Sequence, residues 1–145
     1  MSQPLEHMVQ NPPLWCGRSW EGLVDRRYAT FQQALALRDA RAADLAQIVS
    51  DFLAFFDETG IQLFRDEEEW IFRTLRPTPR DVLRALEGHI EISALVGVLL
   101  KEAKTDHALG VIHHLGELLE AHLLFEEEEI RPLLGGTRPA LQSVS

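Results

Sequence analysis

Apolar residues recur at spacings of three and four along four stretches of this chain, and no stretch alternates with period two over a useful length. Val24, Tyr28, Phe31 and Leu35 form the inward stripe of a first helix, from about Ser19 to Asp39. Phe52, Phe56, Leu63, Glu67, Ile71 and Leu75 do the same for a second, from about Ala42 to Leu75, with Gly60 predicted to kink it. Thr78 caps a third helix whose first position is Pro79 and whose stripe is Val82, Leu86, His89, Ile92, Val96 and Leu99. A fourth, capped by Asp106, carries Val111, Leu115, Leu118, Leu119, Ile130 and Leu133, and ends at Leu134 before two glycines. Four long helices with short connections predict an all-α, up-down-up-down four-helix bundle over residues 20–134. Residues 1–19 read as an N-terminal arm tacked on by Trp15 and Trp20, and 135–145 as a loosely held C-terminal tail.

The stripes are not purely apolar. His122 and Glu126, four apart and therefore on one helix face, fall inside the stripe of the fourth helix. A lone histidine in such a place is ordinarily a satisfied core residue, and a run of four glutamates is ordinarily a solvated face, which is the reading of Glu127 and Glu128. The rest of the chain changes that balance. Leu63 to Leu75 can be laid over His122 to Leu134 without a gap, so Glu67 answers Glu126 and Leu63 answers His122. Two helical hairpins of one ancestry then send Tyr28 and Glu67, and His89, His122 and Glu126, inward at one level. Two imidazoles and two carboxylates make a site of hard and borderline donors suited to iron, manganese or zinc. Without a metal, two buried carboxylates need protons or another cation between them.

Composition narrows the partners. The chain has 145 residues, enough for one domain, and 46% of them are hydrophobic, which argues against disorder. A formal net charge of -9, from 23 acidic and 14 basic residues, disfavours nucleic acid and anionic membranes. Cys16 alone permits neither an internal disulfide nor a thiolate cage. No signal-like start or long apolar run is seen, so a soluble cytoplasmic protein is predicted. Trp70 and Leu123, read as outward, mark a surface for a homodimer. His107, His113 and His114 fall outside the ligand set, and Arg65, Asp66 and Glu69 read as surface ion-pair formers. No nucleophile triad or phosphate-cradling loop is present.

Over roughly residues 20–134 the sequence resembles the hemerythrin-like, or HHE cation-binding, domains. The residues that carry the likeness are Glu67 followed by Trp70-Ile71-Phe72, His89, and His122-x-x-x-Glu126 followed by Ile130-Arg131-Pro132. Histidines usual in the first and second helices of that family stand here as Tyr28 and Leu63. The resemblance implies non-haem iron and the handling or sensing of oxygen, peroxide or nitric oxide. Three arrangements stay open: one metal held by Glu67, His89, His122 and Glu126; two metals, with Tyr28 as a phenolate ligand; or a metal-free polar core serving as an interaction scaffold. Tyr28 is also the candidate catalytic residue, supplying a proton or an electron. Haem held between His89 and His122 is a further alternative.

Overall fold

The computed structural model describes residues 20–75 and 78–134, and among them the chain is all-α, with four long helices and no strand. Helix α1 is Trp20–Arg38. A 3-10 turn, Ala42–Asp44, leads into α2, which spans residues 45–75. Helix α3 is Pro79–Glu102 and α4 is Ala108–Leu134. The predicted arm at 1–19, with Trp15 and Cys16, and the tail at 135–145 lie outside the described residues, as do the side chains of Trp20, Trp70, Ile71, Ile130 and Arg131.

Local chemistry explains most of these limits. The Thr78 hydroxyl accepts a hydrogen bond from the Asp81 N–H at 3.2 Å, and Pro79 takes the first helical position, where no amide donor is needed. Asp106 does not cap α4. The turn is organised one residue earlier by the Thr105 hydroxyl, which accepts from the His107 N–H at 3.2 Å.

At Gly60, where a kink is predicted, helix α2 widens into a π turn, Phe56–Gly60, and a second follows at Glu67–Ile71. The first depends on glycine, because a Cβ at position 60 would lie 2.6 Å from Cδ1 of Phe56.

Leu23, Phe31, Phe52, Leu63, Ile92, Leu115 and Leu119 meet in one apolar core. Helix α1 packs mainly on α4, where Gly116 lets the backbones touch: a Cβ there would stand 2.4 Å from the Arg38 amide nitrogen. An Arg38 to Glu120 ion pair at 2.7 Å lies beside this crossing.

Three expectations are corrected by burial. Tyr28 does not point inward but is 53% exposed, because α1 is rotated by about one residue and buries Leu23, Arg27, Thr30, Phe31, Ala34 and Leu37. Leu123 is fully buried and so marks no dimer surface. Asp66 is not a surface residue either: it is fully buried, paired with Arg26, and accepts a hydrogen bond from Gln62 at 2.7 Å. No helix among the described residues is long and apolar enough to cross a membrane.

Candidate metal centre

Glu67 from α2, His89 from α3, and His122 and Glu126 from α4 are all buried, and one donor atom from each lies within 4.8 Å of the others. Nε2 of His89 is 3.2 Å from Oε1 of Glu67 and 3.6 Å from Oε2 of Glu126, while Nε2 of His122 is 3.3 Å from the same Glu126 oxygen. These approaches lack hydrogen-bond geometry. Both oxygens of each glutamate and Nε2 of each histidine are buried without a hydrogen-bond partner. Buried polar atoms are almost always satisfied, so a convergence of one such atom from each of four residues makes a group that could hold a metal ion. Donors on opposite sides of an ion, each about 2.1 Å from it, stand roughly 4.2 Å apart. The observed spread is only about 0.6 Å wider, so the donor set fits one ion after small side-chain adjustments.

Neighbouring residues set the ligands' orientation. Nδ1 of His89 is 2.7 Å from Oε2 of Glu68, so that nitrogen carries a proton and Nε2 is the ring atom turned to the centre. The π turn beginning at Glu67 thus puts consecutive glutamates on the two nitrogens of one imidazole. Phe64 stacks on His89, ring centroids 4.0 Å apart, and meets His122 edge-on at 5.9 Å. Gly88 leaves room for His122, since a Cβ at 88 would lie 2.3 Å from its Nδ1.

On the side of α1 the centre meets Arg27, whose guanidinium lies 3.7 Å from Oε2 of Glu67 and 3.4 Å from Oε2 of Glu127. Glu127 is therefore not part of a solvated face, whereas Glu128 is exposed. Arg27, Glu68 and Glu127 are the participants that the hydrophobic pattern does not reveal. A shift of the α1 stripe by one residue, to Leu23, Arg27, Phe31 and Ala34, is the signal that points to Arg27. His107 and His114 are exposed, and His113 places Nε2 2.7 Å from the Ala40 carbonyl oxygen, so none of them joins the centre.

The charges are strongly interdependent. Burial, followed by the charge of Glu126, raises the Glu67 carboxyl to about 7. Burial opposes the His89 imidazolium, but Glu126 and Glu67 outweigh it and raise its pKa to about 10. Burial also pushes Glu126 up, yet the charge of His122 and the close approach of His89 prevail and hold it well below the usual carboxylate range. In the absence of metal, then, the cluster holds protons where a cation would otherwise sit.

Among the described residues, two clefts reach the centre from outside. One, of about 280 Å³ between α3 and α4, is lined by Arg84, Gly88, Leu118, His122 and Phe125. The other, of about 490 Å³ between α2 and α3, is lined by Phe64, Glu68, Leu86, His89 and Ile90. No protein-family model, curated protein or solved structure matches this chain.

Proposed function

We propose that this protein binds one metal ion, iron in the first instance with manganese or zinc as alternatives, through Glu67, His89, His122 and Glu126. The proposal extends to a hemerythrin-like bundle with its helices alternating up and down, located in the cytoplasm. The observation that carries it is the convergence of four buried residues, one donor atom of each within 4.8 Å of the others, with no hydrogen bond made by either carboxylate or by Nε2 of either imidazole. Two nitrogens and two carboxylates suit a divalent first-row metal and leave positions open for an exogenous ligand. A cleft of about 280 Å³ beside His122 suits oxygen, peroxide or nitric oxide better than a drug-sized molecule.

One ion is favoured over two because Arg27 already places positive charge on the Glu67 oxygen that faces away from His89, and because Tyr28 is turned to solvent. Haem is disfavoured: the His89 and His122 rings are 4.8 Å apart, tilted by 66°, with Phe64 against both, which leaves no slot for a macrocycle between them. Bound iron supplies a Lewis acid and an electron source. Around it, Glu68 fixes the His89 tautomer, Gly88 admits the His122 ring, and Phe64, stacked on His89, excludes water.

A metal-free scaffold is the second reading, favoured by the ability of a protonated His89 to offset one carboxylate while Glu67 holds a proton of its own. Elemental analysis of protein purified without added metal or a nickel column separates the two. About one ion per chain, lost on changing His122 to Ala, supports the metal centre; no ion, and no uptake of ferrous iron, manganese or zinc by the stripped protein, supports the scaffold.

A further inference from the structure

Helix α3 carries a second apolar stripe that its own core does not use. Ala85, His89, Ile92, Val96 and Leu99 face inward. Leu83, Ile90 and Leu100 are 58%, 69% and 65% exposed, and with Leu86, Ser93 and Gly97 they repeat at the alternating three- and four-residue spacing of a helix seam. Two clefts run end to end beside this seam. The first is bounded by Arg65, Leu86 and Ile90, the second by Asp57, Gly97 and Leu100, and Ile61 and Ser93 line both. The second cleft, of about 720 Å³, is also mainly apolar in its lining, with Leu53, Phe56 and Val96.

We propose that a second copy of this chain docks on this face. The two-fold axis crosses α2 at Ile61 and α3 between Ile90 and Ser93, so each helix lies antiparallel on its own copy. That rotation sets Leu83 against the partner's Leu100, Leu86 against the partner's Gly97 and Ile90 against the partner's Ser93, with large side chains over small ones near the centre. Asp57 and Arg65 lie at equal distances along the sequence on either side of Ile61. The same axis therefore brings Arg65 of each copy to the partner's Asp57, and symmetry makes the pair twice. This charge complementarity is what selects a second copy as the occupant. A chain of net charge -9 repels itself over most of its surface, which confines the pairing to this face.

The seam from Leu83 to Leu100 is about 26 Å long, and two adjacent helices are roughly 20 Å wide. Such an area lies toward the small end of specific interfaces, so the dimer is reversible, with a dissociation constant on the order of micromolar. Docking covers the α2–α3 cleft beside Glu68 and His89, leaving the opening beside His122.

Sedimentation of the full chain at concentrations from about 1 to 200 µM tests the proposal. It needs no metal, so its outcome is independent of the metal reading. The expected result is a concentration-dependent dimer. Ile90→Glu, at an exposed site, makes it monomeric with unchanged helix content. Asp57→Arg weakens it by about tenfold or more, and Asp57→Arg combined with Arg65→Asp recovers most of the loss. A monomer throughout the range overturns the proposal, as does a dimer that survives Ile90→Glu or is not recovered in the double charge reversal.

Discussion

A Cβ on residue 88 would stand 2.3 Å from Nδ1 of His122, so the imidazole occupies space that only glycine leaves open. Gly88→Ala therefore has a specific cost. The methyl group pushes the ring away from Glu126, while the helix itself gains slightly from alanine. We predict about 10- to 100-fold weaker metal affinity with helix content unchanged, measured by competition with a chromophoric chelator. Unaltered affinity would show that the ring can be accommodated elsewhere and that its present position is not needed for binding.

Glu68 touches the centre only through His89, from 2.7 Å on the Nδ1 side. Glu68→Ala removes the group that holds the tautomer and should cost about 10- to 100-fold in metal affinity. Glu68→Gln keeps a carbonyl acceptor in place and should lose less. Equal losses in both variants would mean that the charge of Glu68, rather than its hydrogen bond, is what matters.

The metal-free protein should lose stability as pH rises. Folded Glu67 and His89 hold protons more tightly than the unfolded chain does, with pKa values of about 7 and about 10 against 4.5 and 6.5. Their contributions are complete below the unfolded values and disappear as pH climbs through the folded ones. Glu126 acts in the opposite sense, contributing above 4.5 and losing that contribution as pH falls through its depressed folded value. Melting temperature in chelator should thus decline from near neutrality toward pH about 10, the window set by His89. A bound metal displaces the same protons, so its affinity should strengthen over that range. A flat melting profile in chelator would contradict the proposed proton-holding cluster.

Adjacent residues in α1 should behave oppositely. Arg27 is buried against Glu67 and Glu127, so Arg27→Met should destabilise the metal-free fold by about 3 kcal/mol, as read from denaturant midpoints. Tyr28 is 53% exposed, and Tyr28→Phe should change stability by no more than about 0.5 kcal/mol and leave metal content intact. A strong effect at Tyr28 with none at Arg27 would require the other rotation of α1.

The four-helix pattern was legible because apolar spacing and capping chemistry agree along most of the chain, as at Thr78 and Pro79. His122 and Glu126 were legible because they interrupt an apolar stripe, and the internal repeat carried Glu67 along with them. The rotation of α1 was not. Two stripes one residue apart fit its sequence equally well, and the correct one buries an arginine, which composition rules assign to the surface. Glu68 and Glu127 sit in glutamate runs, where nothing in the sequence separates a paired carboxylate from a solvated one. Of the two π turns of α2, the first coincides with Gly60, which the sequence marks as an irregular point, while the second, at Glu67–Ile71, has no such mark.

The backbone contact at Gly116 governs more than its own neighbourhood. It seats α1 at Arg38, about three turns from Arg27 and so on nearly the same side of the helix. Once the end of a rigid rod is keyed against a smooth spot on its neighbour, its whole azimuth is fixed. A position without a side chain on α4 therefore decides, at a distance, that a guanidinium and not a phenol looks toward Glu67.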